Sequence, residues 1–343
     1  MQALVTGSTG MLGHNLVREL LAQGWTVKAL VRSKQKAQKL FGNLPLEVIE
    51  GDMDNVAGFA AALKGVDVVF HTAAYFREYS QEFNDHWKIL KRINIDATLE
   101  LIELCEKIGV STFIHVSSSG TIGQSAGVGN ESTPPDAAAI ANLYFRSKVE
   151  GDAAIAQWLR AAPRRMKLVS ILPGWMFAPR DAAPTSAGKL VLDLLGGKIP
   201  GIIDAGASIA DARDVAQTMI NAVPRGRSGE KYLVAGRLGL FEQIFAAIEK
   251  TSGVATPKNK LPNWLILTLA RADTFVSSLR KTVPTMPLEG IKTSLAKQQL
   301  SSAKAERELG ATFRPLEETL RDTVQWYLEN GYVATKTGVV LPQ

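Results

Sequence analysis

The sequence predicts an α/β fold: a doubly wound parallel sheet covered by helices on both faces, carrying a smaller, discontinuous C-terminal substrate-binding region. Three observations predict it. Apolar runs of about five residues alternate with longer amphipathic segments through the first half of the chain. A glycine-rich turn, Gly7 to Gly13, joins the first apolar run directly to the first amphipathic segment. Beyond Leu172 the rhythm breaks, and Pro173, Pro179, Pro184, Gly196, Gly197, Pro200, Gly201 and Gly206 divide short elements.

In order, the expected strands are 2–6, 26–31, 46–50, 67–71, 112–117 and 167–172, with helices beginning near Leu12, Lys34, Asn55, Asp85 and Ala141. Strands that are apolar on both sides must be covered on both sides, as in a parallel sheet whose crossovers are helices. Ligands on such sheets sit at the carboxyl ends of the strands. After the broken stretch, 211–223 reads as a helix and 231–235 as a strand, which returns the chain to the sheet. Residues 316–330 read as a closing amphipathic helix stopped by Gly331. The expected division is a sheet domain at 1–173, 209–236 and 313–332, with the substrate-binding region at 174–208 and 237–312.

The chain has 343 residues, 46% of them hydrophobic, and a mean hydropathy of +0.03, which describes a folded globular protein and not a disordered one. A net charge of +6 and a pI near 9.3 would suit an anionic partner, but Lys and Arg are spread along the chain, so no nucleic-acid partner is expected. The single cysteine, Cys105, excludes an intrachain disulfide and reads as a buried thiol. The first residues lead straight into a turn instead of an apolar signal segment, and the most apolar late stretch, 261–270, is too short to span a bilayer. A cytoplasmic protein without a membrane partner is expected, and no side-chain spacing fits a metal.

Gly7-Ser8-Thr9-Gly10-Met11-Leu12-Gly13 follows the first strand and opens the first helix. Gly7 lets the chain turn sharply, Gly10 lets the backbone approach a pyrophosphate, and Gly13 lets the helix pack close to the strand. The N–H groups of the turn, from Thr9 through Met11 and Leu12, together with the helix dipole, favour phosphate charge. The GxxGxxG spacing resembles that of the extended short-chain dehydrogenase/reductase family, the NAD-dependent epimerases and dehydratases. That resemblance covers nearly the whole chain and implies a Rossmann domain.

An NAD site usually has an acid at the end of the second strand for the ribose 2′-hydroxyl. Between Glu19 and Glu47 this chain has none, while Arg32 ends that strand and Lys39 follows on the next helix. The pair resembles the Arg and Lys that hold the 2′-phosphate in dihydroflavonol reductases, so NADP(H) is expected over NAD(H). Such a contact contributes roughly 1.5 to 3 kcal/mol. The resemblance also implies adenine-edge contacts from Asp52 and Met53 and a close-packed cofactor floor at Ala73 and Ala74.

Tyr144-Phe145-Arg146-Ser147-Lys148 puts tyrosine and lysine one turn apart on one helical face. A tyrosine with a free pKa of about 10 must act as acid or base near neutrality, and a neighbouring ammonium favours its phenolate. Ser117-Ser118-Ser119 ends the fifth strand, where a hydroxyl can reach a substrate carbonyl oxygen. Ser119, 25 residues before Tyr144, best matches the family's catalytic serine. Ser118 is the fallback, and Ser117 faces the cofactor. The resemblance makes Lys148 a ligand of the nicotinamide ribose as well. It likens Asn94 to a helix asparagine supporting the lysine region, although Ala97 stands where the family usually has glycine.

After the sixth strand, Pro173, Gly174, Trp175 and Met176 are expected along the nicotinamide, where sugar-nucleotide enzymes of the superfamily carry an asparagine-containing motif. Aromatic residues Tyr75, Phe76, Tyr79, Phe83 and Trp87 follow the fourth strand. With Trp175, Tyr75 and Phe76 are the expected substrate contacts, suited to a large apolar or aromatic carbonyl compound. The segment from Ser302 to Leu316 also resembles dihydroflavonol reductase-like and 3β-hydroxysteroid dehydrogenase-like members. The expected activity is an NADPH-dependent reduction of a ketone or aldehyde. The alternatives are a nucleotide-sugar epimerase or dehydratase with tightly held NAD(P), and a non-catalytic nicotinamide sensor. The family implies a homodimer built through two helices.

Overall fold

The structure is a computed structural model that describes residues 1–76, 86–124, 127–280 and 288–333. Its strands are β1 (Gln2–Thr6), β2 (Thr26–Val31), β3 (Glu47–Glu50), β4 (Val68–His71), β5 (Thr112–Val116), β6 (Lys167–Pro173), β7 (Trp175–Phe177), β8 (Ile202–Ile203), β9 (Gly206–Asp211), β10 (Lys231–Val234), β11 (Arg237–Leu240) and β12 (Lys260–Leu261). The helices are α1 (Met11–Ala22), α2 (Lys34–Phe41), α3 (His86–Lys91), α4 (Ala97–Ile108), α5 (Ala137–Ala141), α6 (Leu143–Ala161), α7 (Ser186–Leu195), α8 (Ala212–Arg225), α9 (Phe241–Ser252), α10 (Asn263–Arg280), α11 (Leu288–Leu295), α12 (Ala303–Leu309) and α13 (Leu316–Glu329).

Seven strands form one parallel sheet in the order β10-β6-β5-β4-β1-β2-β3. Strand side chains alternate between faces, and β1 is apolar on both, so each face receives its own core. Ala3 and Val5 face one side, with Leu12 and Leu16 of α1 and Val215 and Met219 of α8. Leu4 faces the other, with Leu101 and Ile102 of α4 and Ile155 and Trp158 of α6. The order reverses between β1 and β4, so the carboxyl ends of these strands open the crevice where a doubly wound sheet binds its ligand.

The segment expected at 46–50 begins one residue later, and the helix expected near Asn55 is a kinked 3₁₀ stretch, Met53–Leu63, with Asn55 outside helical geometry. Here Asp52 caps through Asp54 N and Asn55 Oδ1 accepts from Gly58 N, so side chains compete with the helical ladder.

A second core joins α7, α9 and α13 with the three-stranded sheet β11-β9-β7. The closing helix, expected with the nucleotide-binding sheet, buries Leu320, Val324 and Tyr327 in this second core instead. Conversely α12, expected with the substrate-binding region, sends Ala305 and Leu309 into the sheet's first core. Both helices carry short apolar stripes, and only the complementary face available in three dimensions decides where each docks.

Asp181 anchors the second core. Its Oδ2 accepts from Thr185 N, Thr185 Oγ1 and the Tyr327 hydroxyl, at 2.8, 2.8 and 2.9 Å. Burial raises its pKa, opposed by the Thr185 and Tyr327 hydrogen bonds. Replacing Tyr327 with Phe leaves that carboxyl short of a donor. The expected outcome is a loss of about 1–3 kcal/mol in the urea unfolding free energy, with the fold otherwise retained.

Candidate active site

The turn after β1 is held by two close approaches. Gly7 has φ +64°, and a Cβ there would lie 2.7 Å from the backbone nitrogen of Ala73. A Cβ on Gly13 would lie 2.2 Å from the Gly7 carbonyl oxygen. Sequence reasoning expected Gly13 to serve the packing of helix on strand; its partner is the first glycine of the same turn. Gly10 caps α1 without a side-chain hydrogen bond, so the helix presents its first N–H groups to the crevice. Met11 and Leu12 bury their side chains in the core and can offer only backbone, while Ser8 Oγ donates to Leu30 O and pins the turn to β2. Thr9 is half-buried beside them.

The floor of the crevice is tied to β1 through Thr6. Its hydroxyl oxygen accepts from Ala73 N at 3.2 Å and is hydrogen-bonded to His71 Nδ1 at 2.8 Å. His71 Nε2 is hydrogen-bonded to Thr98 Oγ1. Burial, reinforced by Lys148, pushes the His71 pKa down to about 3, so the ring is a neutral strut between β1, β4 and α4. Ala74 is exposed beside it. The Thr6–His71–Thr98 link was not visible in the sequence, because its members are far apart and each residue type is common in cores.

Arg32, immediately after β2, and Lys39 on α2 are both exposed, and neither makes an ion pair among the described residues. Asp52 is exposed and Met53 buried, at the end of β3. Arg32 and Asp52 follow β2 and β3 at the same carboxyl edge of the sheet, and Lys39 lies in the last turn of α2.

Across the crevice, Ser118 Oγ accepts from Gly120 N at 3.1 Å and caps a short 3₁₀ turn, Ser119–Thr121. The Ser119 hydroxyl makes no hydrogen bond among the described residues, and Ser117 Oγ is buried with no partner. Gly120 is a position sequence reasoning missed. A Cβ there would lie 2.3 Å from the Phe145 ring, so the serine loop presses directly onto the helix that carries Tyr144.

On α6, Tyr144 meets Phe76 edge to face, with ring centroids 4.6 Å apart. The Lys148 ammonium lies 5.9 Å from the Tyr144 ring centroid and donates to Val116 O at 3.0 Å. Burial pushes the Lys148 pKa down to about 8, with Asp152 one turn later pulling it up. Asp152 itself accepts from Lys231 Nζ on β10 at 2.8 Å.

Asn94 lies in a π-turn, Arg92–Asp96, between α3 and α4. Its Oδ1 accepts from Tyr75 N and its Nδ2 donates to Tyr75 O and to Ser147 Oγ, and Ser147 Oγ donates to Tyr144 O. One amide thus fixes the backbone leading to Phe76 against the residue next to Lys148. The extra residue of a π-turn supplies the inward aim, which helical spacing could not foretell. Trp87 lies under the Arg146 guanidinium, 4.2 Å from its centroid. Tyr79 and Phe83 lie outside the described residues.

Of the segment after β6, Pro173 is buried at the strand end and Gly174 sits against the carbonyls of Ala235 and Ser208. Met176 packs on the first core, whereas Trp175 turns toward the second, donating from Nε1 to Ser186 Oγ and meeting Phe177 and Phe241. Further along, Arg180 adopts a left-handed backbone, φ 72°, and donates to Asn15 Oδ1. Asn15 donates in turn to Met11 O and Pro179 O, joining the loop after β7 to the first turn of α1. Burial, then Arg18 and Arg213, lowers the Arg180 pKa.

Comparison with known proteins agrees with this geometry. The profile of the NAD dependent epimerase/dehydratase family matches residues 3–235. A Synechocystis sp. protein provisionally assigned as dihydroflavonol 4-reductase is 30% identical over 97% of this chain and 96% of its own. The sterol demethylase protein B of Methylococcus capsulatus is 28% identical over 97% of this chain and all of its own length. The crystal structure of gox2253 superposes with a TM-score of 0.82 at 26% identity, covering 97% of this chain and 99% of that one. With the glycine turn, the serine-ended strand and the Tyr144–Lys148 pair on one edge of a seven-stranded parallel sheet, the chain belongs to the NAD dependent epimerase/dehydratase family of extended short-chain dehydrogenases/reductases.

Proposed function

We propose that the protein reduces a bulky apolar or aromatic ketone or aldehyde with NADPH, using Tyr144 as the general acid. The observation that carries this reading is the placement of Tyr144 between the exposed ring of Phe76 and the buried ammonium of Lys148. An apolar wall and a proton donor then meet at the mouth of the crevice.

The residues present fit a dinucleotide. The close approaches at Gly7 and Gly13 keep the turn tight against Ala73 and against itself, and the uncapped start of α1 suits a pyrophosphate. Arg32 and Lys39 would take a 2′-phosphate, Asp52 and Met53 the adenine edge, and Ala73 and Ala74 the floor. Pro173, Gly174 and the backbone of Trp175 and Met176 would lie along the nicotinamide, with the buried, unpartnered Ser117 hydroxyl facing it. A nicotinamide held there would supply the hydride for the substrate carbon. Tyr144 passes its phenolic proton to the carbonyl oxygen, and the Ser119 hydroxyl donates a hydrogen bond to the same oxygen. The Ser118 oxygen caps the 3₁₀ turn by accepting from Gly120 N, whereas the Ser119 hydroxyl makes no hydrogen bond among the described residues, which supports Ser119 for that task. Lys148 stabilises the phenolate left behind and has hydrogen atoms to spare for ribose hydroxyls. Large ring systems appear in the names of two relatives, a dihydroflavonol reductase and a sterol demethylase component, in keeping with Tyr75 and Phe76 as substrate contacts.

Tyr144→Phe should reduce kcat by two decades or more, roughly, while NADPH affinity measured by fluorescence stays near that of the parent. Undiminished turnover would defeat the assignment. Tightly retained NAD with turnover of a nucleotide sugar and no net use of NADPH would replace it with the epimerase reading.

Replacing Arg32 and Lys39 together with Ser should raise the KM for NADPH by about one to two decades while leaving that for NADH nearly constant. Equal changes for both coenzymes would remove the 2′-phosphate role.

The folded-state pKa of Lys148, about 8, lies below its ordinary 10.5. The unfolded chain therefore binds more protons between these values, and stability rises with pH across that window. Below pH 8 the buried charge costs on the order of 3 kcal/mol, a penalty that fades toward 10.5. The expected outcome is that Lys148→Met is stabilised relative to the parent at pH 7, and that the gap in Tm narrows from pH 8 upward. A gap independent of pH would show that the ammonium is not strained by burial.

A further inference from the structure

We propose that α10 is a docking helix for an anionic lipid surface. Of the twelve exposed large hydrophobic side chains among the described residues, five lie on this one helix: Trp264, Leu269, Phe275, Val276 and Leu279, exposed by 68, 45, 65, 40 and 70%. The remainder are scattered singly, as on most protein surfaces. At about 100° per residue, these five fall on a continuous arc of roughly 140°, bounded by Arg271 on one edge and Arg280 on the other. The opposite side buries Ile266, Ala270 and Ser277. The helix therefore turns one side to the protein and leaves a separate apolar side for something outside it.

Charge identifies the outside partner. In the flanking segments Lys258, Lys260 and Lys297 are paired with Glu249, Glu242 and Asp204, whereas the two arginines that edge the arc add exposed positive charge in a chain of net charge +6. Arg271 and Arg280 make no ion pair among the described residues, so their charge is directed outward. Exposed Trp, Phe and Leu between guanidinium groups suit the boundary of headgroups and acyl chains, where apolar area and anionic headgroups both contribute. A second copy of the chain would bring these like charges together. The expectation of no membrane partner rested on the lack of a spanning segment, and among the described residues no helix is long and apolar enough to cross a membrane. A helix lying in the interface needs one apolar face, not a span.

The test is flotation of the full chain with vesicles of phosphatidylcholine alone and of phosphatidylcholine mixed with phosphatidylglycerol. The protein should rise with the anionic vesicles about tenfold more than with the neutral ones, and less as salt increases. The double variant Phe275→Glu, Leu279→Glu should lose association with both, at an unchanged thermal unfolding temperature. The pair Arg271→Ser, Arg280→Ser should lose the preference for anionic vesicles while keeping the apolar face, and remains informative if the first variant misfolds. No flotation at low salt, or equal flotation of parent and both variants, overturns the proposal. So does a parent dimer that the glutamate pair dissociates without any vesicle binding. None of these readouts uses turnover, so their failure is distinct from failure of the reductase reading.

Discussion

A buried ammonium hydrogen-bonded to a strand carbonyl governs the arrangement of the crevice. Lys148 Nζ reaches Val116 O at the end of β5, which fixes the rotation of α6 about its own axis and hence the direction of Tyr144 one turn earlier. Burying a charge is unfavourable unless it is hydrogen-bonded and countered. Here the compensation is partial, from the carbonyl and from Asp152, itself fixed by Lys231 on β10, and burial still outweighs it. Neutral His71 and His115 stack beneath, 5.7 Å apart, adding no competing charge. The sheet thus holds the cation directly from β5 and, through Asp152 and Lys231, from β10 two strands away.

Around that point the structure is stitched by short polar links across long sequence distances. Asn94 ties the segment after β4 to α6, Arg180 and Asn15 tie the loop after β7 to α1, and Asp181 ties α13 to the start of α7. Each link joins a helix to a loop distant from it in sequence. Tyr144 and Lys148 therefore sit on one regular helix, while the segments around them are held by single amides, guanidinium groups and carboxyls. Positioning of this kind limits the spread of reactive geometry.

Much of this was legible in the sequence, and for a common reason. The β1 turn and α1, the serines after β5 and the Tyr144–Lys148 spacing are local, each encoded within a few neighbouring residues. Strand positions followed equally well, because a doubly covered sheet demands continuous apolar runs. What escaped was set by contacts distant in sequence. Gly120 matters because of Phe145, and the His71 strut because of Thr6 and Thr98. The destinations of α12 and α13 were exchanged because two similar amphipathic stripes carry no address. That Ser118 caps the turn after β5 depended on a backbone N–H that no pattern displays. The apolar arc on α10 was legible only as hydrophobicity, since its buried and exposed halves read alike.

That exchange of helices has a mechanical consequence. With α12 seated on the sheet and α13 on the second core, the chain laces back and forth between the two halves. A chain ended near residue 236 would lack both α12 on the sheet's core and α13 on the second core, leaving each interior without one of its helices. Clamshell opening is restrained by the same lacing, and circular permutants that begin between these two helices would have to thread a strap across a preformed cleft.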